Sequence, residues 1–163
     1  TGVFQYSCTS AKTMQTAGFL METGIDFSKI VDETFFTKTF EQNQIMGKAL
    51  MTAKRYLHDK VIASIVTAED MQTYHVLPKH LDGIVSQMRV TKDVEVAVFL
   101  YENEDGSYKA STRSNGKVNV AELAMHFGGG GHARAAGFSM TGDPETILAQ
   151  ILAELEKDSV LQA

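Results

Sequence analysis

Cysteine, proline and long hydrophobic runs are all scarce in this sequence. Cys8 is the single cysteine among 163 residues, which excludes a disulfide framework within the chain and is typical of a reducing compartment. No stretch approaches the roughly 18 apolar residues of a membrane-spanning helix, and none resembles a signal peptide. We therefore expect a cytoplasmic protein that does not enter a membrane.

The chain also lacks an excess of positive charge. It has 15 Lys and Arg residues against 20 Asp and Glu residues, a net charge of −5. A broad basic surface for long nucleic acids is therefore not expected, and an anionic ligand would need a local site.

Patterns typical of catalytic centres and metal sites are missing as well. The histidines show no HxH or HExxH spacing and no nearby carboxylate cluster, so we predict no metal ligand in this chain. The acidic residues are scattered without a general acid–base pair, and Cys8 has no activating neighbour. We predict a binding site in this chain and no catalytic residues.

Apolar residues make up 44% of the chain and charged residues 21%, an ordinary globular balance. Apolar periodicity and turn residues predict strands over 61–68, 94–101, 107–114 and 134–140, and helices over 78–88, 119–127 and 143–155. This order predicts an α/β domain with a mixed β-sheet flanked by helices, over residues 58–160.

The part before this domain is predicted to be helical. Two short helices before residue 36 are too little for a separate domain. Apolar spacings near three and four predict one long helix over 37–57. This helix is either a connector between two lobes or a core helix of one domain.

Four consecutive glycines, Gly128, Gly129, Gly130 and Gly131, precede His132. Each glycine costs conformational entropy, so the run indicates positive φ angles or a close approach to the backbone. One interpretation is a loop whose backbone N–H groups hold an anion, with His132 donating to a phosphate or stacking on a base. The other is a loop needed only for tight packing between helix and sheet.

Arg113 and Ser114 end the strand predicted over 107–114. Arginine presents a planar, permanently charged group that suits phosphate oxygens. By alternation, Arg113 shares one face of the strand with Ser111, while Ser114 lies on the other face or at the turn. The next helix leads to the glycine run, so Arg113 and the run could face one pocket.

The combined pattern resembles the DHHA1 domain of DHH-family phosphoesterases. The motifs that carry the resemblance are Ser111-Thr112-Arg113-Ser114, Val118 to Ala124, Phe127 to His132, and Ala135-Ala136-Gly137. Within the family, the resemblance is to the two-domain oligoribonucleases and 3′-phosphoadenosine-5′-phosphate phosphatases and to di-adenylate phosphodiesterases. It implies that Arg113, Ser114, Gly128, Gly129, Gly130, Gly131 and His132 bind the substrate.

The resemblance also implies a domain organisation. Thr1-Gly2-Val3-Phe4 is similar to the segment that follows the last metal-binding aspartate of the catalytic DHH domain. We therefore expect residues 1–36 to be the end of that domain, 37–57 a connector helix and 58–160 the DHHA1 domain. Two metal ions, expected to be Mn²⁺, would lie in the missing part, so this chain alone would be inactive.

The implied function is to bind the substrate for a hydrolase acting on short RNA, 3′-phosphoadenosine-5′-phosphate or di-adenylate. A homodimer is possible in such a family. Two alternatives stay open: a nucleic-acid-binding module without hydrolysis, as at the end of alanyl-tRNA synthetases, and part of a RecJ-type single-strand exonuclease.

Overall fold

The computed structural model describes residues 2–5 and 8–162, and the chain divides into two compact units. The first comprises Thr1–Thr39 and the second Phe40–Ala163. None of the helices in these described ranges is long and apolar enough to cross a membrane.

The first unit is helical. Helix α1 (Ala11–Glu22) begins at Ser10, which forms a capping box with Thr13, and α2 (Phe27–Val31) begins at Asp26, which caps Lys29 N–H at 3.0 Å. A π-helical turn follows over Asp32–Phe36. None of the described side chains of this unit is buried, and large apolar side chains such as Phe19 and Phe36 are about two-thirds exposed, at 65% and 64%.

The second unit contains a six-stranded mixed sheet, which confirms the predicted α/β class. The strands are β1 (Lys54–Tyr56), β2 (Val61–Val66), β3 (Val96–Glu102), β4 (Tyr108–Ser114), β5 (Gly130–His132) and β6 (Ala135–Met140). Their order is β1-β2-β3-β4-β6-β5. The β2–β3 pair is parallel and all other pairs are antiparallel.

Helices pack on both faces of the sheet, over more strands on one face than on the other. The helices of this unit are α3 (Phe40–Thr52), α4 (Ala68–Thr73), α5 (Ile84–Arg89), α6 (Val120–His126) and α7 (Pro144–Leu155), with short 3-10 helices at Pro78–Leu81 and Ser159–Leu161. On the first face, α6 and α7 pack on apolar side chains of β2, β3, β4 and β6. On the second face, α3, α4 and α5 form a separate core with β2 and β3.

The helix predicted over 37–57 is shorter and belongs to the second unit. It ends at Thr52, and Lys54–Tyr56 instead forms β1, antiparallel to β2. Ile45 and Ala49 of α3 are fully buried in the second-face core. Apolar spacing predicted the helix, but pairing with β2 takes its last residues into the sheet.

An ion pair adds to this attachment of α3. Lys48 donates to the carbonyl of Ile65 at 3.1 Å and to the carboxylate of Asp70. Although burial acts to raise it, hydrogen bonds from Lys48 and from the backbone N–H of Thr67 hold the pKa of Asp70 below its usual value.

The helix predicted over 78–88 is interrupted. A 3-10 helix over Pro78–Leu81 is followed by Gly83, which has a φ of +94° and precedes the first residue of α5. The apolar residues Leu81, Ile84, Val85 and Met88 are all buried, as their spacing predicted.

Candidate functional site

The half of the second face that α3, α4 and α5 leave partly uncovered is the candidate site. We call it the open face; it consists of the second-face residues of β4, β6 and β5, namely Lys109, Ser111, Arg113, Ala135, Gly137, Ser139, Gly130 and His132. All eight are exposed or half-buried, whereas the alternate residues of β4 are buried under α6 and α7. The open face has small residues along β6, Lys109 and Arg113 on β4, and His132 on β5.

Arg113 and His132 lie in one row of this face. Arg113 pairs with Ala135 across β4 and β6, and His132 pairs with Ala135 across β5 and β6. Residues directly opposite in a ladder project to the same side of a sheet. Two strand spacings separate them by roughly 9.5 Å. Because the residue between them carries only a methyl group, one ligand lying across Ala135 could contact both side chains.

The glycine run forms an edge strand as well as a turn, where the sequence predicted only a loop. Gly128 ends α6 with φ of +79°, and Gly131 has φ of +150° within β5. A Cβ on Gly131 would come within 2.5 Å of the carbonyl oxygen of Ala135, and one on Gly129 within 2.5 Å of Cβ of Phe138. Gly130 differs from these two, since nothing lies within 4 Å of its Cβ position; the same holds for Gly128, which lies outside the strand.

Both interpretations of the run therefore have a physical basis. Gly128, Gly129 and Gly131 are needed for the helix end and for close packing against β6. The space over Gly130 lies on the open face, beside Gly137. A role of the run in ligand binding stays a prediction, and Gly130 is the position that offers room for it.

Ser114 lies on the opposite face from Arg113 and is buried, with 2% of its surface exposed. Its hydroxyl donates to Oε1 of Glu95 at 3.1 Å and accepts from the backbone N–H of Gly116 at 2.8 Å. This geometry supports a structural role for Ser114 and offers no direct contact with a ligand on the open face.

Glu95 organises the loop that follows Arg113, and sequence reasoning did not single it out. Its side chain is buried, and Oε1 also accepts from the backbone N–H groups of Gly116, Lys117 and Val118 at 3.0, 2.7 and 3.1 Å. A lone carboxylate inside an apolar run, Val94 to Leu100, was the signal that could have found it. Such a group must be hydrogen-bonded when buried.

Further contacts attach the same loop to its neighbours. Asn115 donates to the carbonyls of Arg89 and Val94 at 3.1 and 2.7 Å, and accepts from Arg89 Nη1 at 2.6 Å. Arg134 packs over Gly116, where a Cβ would lie 2.8 Å from Nη2. Its carbonyl also accepts from Ser114 N–H at 3.1 Å. The loop, α5 and the β5–β6 turn thus fix the end of β4 that carries Arg113.

In the described ranges, no group of three or more His, Cys, Asp or Glu side chains could hold a metal ion. His132 and Arg113 have only apolar or small neighbours in their row. The open face is therefore suited to binding an anionic or aromatic ligand, and its residues do not fit a metal site.

The family model of the DHHA1 domain matches residues 58–158, which is more than half of the chain. The chain therefore belongs to the DHH/DHHA1 phosphoesterase family. The open face, α6 and the glycine run all lie inside the matched region.

Two curated relatives carry different names. The "bifunctional oligoribonuclease and PAP phosphatase NrnA" of Thermus thermophilus is 28% identical over 142 residues, covering 87% of this chain and 42% of the relative. The "A-adding tRNA nucleotidyltransferase" of Aquifex aeolicus is 26% identical over 157 residues, covering 96% of this chain and 18% of the relative. The chain thus spans less than half the length of either relative.

A solved structure has the same fold. The exopolyphosphatase-related protein from Bacteroides fragilis superposes with a TM-score of 0.88 at 26% identity, covering 98% of this chain and 47% of that chain. Similarity extends over both units of this chain.

Proposed function

We propose that this chain is the substrate-binding part of a phosphoesterase that hydrolyses short oligoribonucleotides, 3′-phosphoadenosine-5′-phosphate or di-adenylate. The observation that carries the proposal is the row of Arg113, Ala135 and His132 on the open face. Arg113 would bind a phosphate, and His132 with the space over Gly130 would hold the nucleoside. The name of the Thermus relative supports this substrate class.

The catalytic metal ions, proposed to be Mn²⁺, would be held by a DHH domain outside this chain. No group of three or more His, Cys, Asp or Glu among the described residues could hold a metal ion, so we propose that this chain contributes no metal ligand. The residues of this chain are proposed to position the substrate, which can lower the activation barrier although they form no covalent bond to it. The exposed apolar side chains of the first unit are consistent with its being the end of a larger domain.

Substitution of Arg113 tests this proposal. We expect Arg113→Ala to lose a charge-assisted hydrogen bond, about 1.5–3 kcal/mol, and so to weaken AMP binding by roughly tenfold or more. Arg55→Ala is the matched control, because Arg55 is an exposed arginine on β1 at the opposite edge of the sheet. Isothermal titration calorimetry of AMP into the full chain measures the affinity of each variant. Equal affinities for wild type and Arg113→Ala would remove Arg113 from the site.

A second candidate is a nucleic-acid-binding module without hydrolysis, which the match to a tRNA nucleotidyltransferase favours. The two candidates differ in the activity of the full-length protein on short RNA, 3′-phosphoadenosine-5′-phosphate and di-adenylate, compared side by side. Release of phosphate or mononucleotide from any of them supports the phosphoesterase. Binding of tRNA without hydrolysis of any of the three substrates supports the nucleic-acid-binding module.

A further inference from the structure

We propose that Lys109, Ser111 and Arg113 form a phosphate track along β4, on which an oligonucleotide lies with successive phosphates beside successive open-face residues. The inference rests on the proposed function and extends it. What it adds is a role for Lys109, which would hold a phosphate of an oligonucleotide beyond the one bound at Arg113.

The first observation is that the three side chains share one face and one cleft. They alternate with Tyr108, Ala110, Thr112 and Ser114, which are all buried on the other face. All three line a polar cleft of about 220 Å³ between β4 and the segment around Asp82. A ligand in this cleft therefore meets Lys109, Ser111 and Arg113 together.

The second observation is spacing. Alternate residues on a strand are separated by about 6.8 Å, close to the distance between neighbouring phosphates in an extended single strand. A ligand with about three consecutive phosphates could therefore extend from Arg113 past Ser111 to Lys109. A ligand with one phosphate bound at Arg113 leaves Lys109 without a contact.

The third observation is that the charged groups of Lys109 and Arg113 are not held by carboxylates and could bind phosphates. Within the described residues, neither Lys109 nor Arg113 forms an ion pair with a carboxylate within 4.0 Å. Arg113 Nη1 donates to the carbonyl of Thr112 at 2.9 Å, which leaves its other N–H groups to a ligand. Lys109 is exposed at the far end of the track.

The surroundings also leave room for a chain. The neighbouring open-face residues on β6 are Ala135, Gly137 and Ser139, which are all small. Asp82 lines the opposite wall of the cleft and is exposed. Its carboxylate would repel phosphates from that wall and keep them on the β4 side, while it could accept hydrogen bonds from sugar hydroxyls.

The test compares two probes, AMP with one phosphate and 5′-phosphorylated triadenylate with three, by titrating each into the full chain at several salt concentrations. We expect Lys109→Ala to weaken triadenylate binding about fivefold at low salt and AMP binding less than twofold. The slope of log K against log salt should fall by about 0.7 for triadenylate alone, because one phosphate contact is lost.

Lys54→Ala is the matched control, since Lys54 is an exposed strand lysine on the other face of the sheet. It should leave both affinities and the salt slope unchanged. Equal effects of Lys109→Ala and Lys54→Ala, or an equal loss for both probes, would overturn the track. If Arg113→Ala still weakens AMP binding in that case, the proposed function survives; if Arg113→Ala has no effect either, both fall.

Discussion

Arg113 and His132 can serve one ligand because the residue between them, Ala135, has a short side chain. A larger residue at this position would fill the row that joins β4 to β5. The loop that follows Arg113 also depends on residues outside the open face. Ser114 and Glu95 lie behind it and hold the loop that begins at Asn115.

The first prediction at this scale concerns Glu95. Replacing Glu95 with Ala would leave the N–H groups of Gly116, Lys117 and Val118 and the hydroxyl of Ser114 without their acceptor. We expect a loss of about 2–4 kcal/mol in the free energy of unfolding, measured by urea denaturation. Glu95→Gln keeps one acceptor oxygen and should cost less.

Glu104→Ala is a suitable control, because Glu104 is exposed in the turn between β3 and β4. It should change the free energy of unfolding by less than about 0.5 kcal/mol. A similarly small effect for Glu95→Ala would show that backbone hydrogen bonds hold the loop without the carboxylate.

At the scale of elements, adjacent glycines of β5 are predicted to have different roles, Gly131 in packing and Gly130 in ligand binding. Gly131→Ala would place a methyl group against the backbone of Ala135 and Ala136, at a residue with positive φ. We expect it to destabilise the chain by about 3 kcal/mol or more in thermal or urea unfolding. Gly130→Ala should be within about 0.5 kcal/mol of wild type, because its Cβ position is empty.

Of these two variants, Gly130→Ala is the one that tests ligand binding. Gly130→Ala adds a methyl group to the open face of a chain that remains folded, so it should weaken AMP binding measurably by titration. Unchanged affinity in Gly130→Ala would mean that the glycine run serves packing alone.

Elements with regular apolar patterns were predicted well, and elements fixed by tertiary pairing were not. The capped helix α7 and the hairpin strands β3 and β4 lie where Asp143-Pro144 and Asp105-Gly106 indicated. By contrast, β1 occupies the predicted end of a helix, since only pairing with β2 determines its state. The strand state of Gly130–His132 was missed because glycine has no strand propensity and its partner β6 fixes the conformation.

The same contrast applies to the candidate site. Alternation along β4 predicted that Arg113 and Ser114 lie on opposite faces of the sheet, and the structure confirms this. The role of Glu95 could not be derived from spacing, because its partners lie 19 to 23 residues further along the chain. The open face itself results from where α3, α4 and α5 stop on the sheet, and no local pattern encodes that boundary.

At the scale of the whole molecule, the open face is proposed as a binding surface, and no group of three or more His, Cys, Asp or Glu among the described residues could hold a metal ion. We predict that the 163-residue chain has no Mn²⁺-dependent phosphodiesterase activity. The assay is hydrolysis of di-adenylate with added Mn²⁺, compared with a sample without protein. Turnover above that background, abolished in Arg113→Ala, would place metal ligands within this chain.

The location of the ligand is tested most directly by amide chemical shifts of the ¹⁵N-labelled chain during titration with AMP. We predict shifts concentrated at Ser111, Arg113, Gly130 to His132, Ala135 and Gly137. Residues of α7, which packs on the other face, should be unaffected. Shifts confined to α6 and α7, or no shifts at millimolar AMP, would contradict the assignment of the open face as the nucleotide-binding surface.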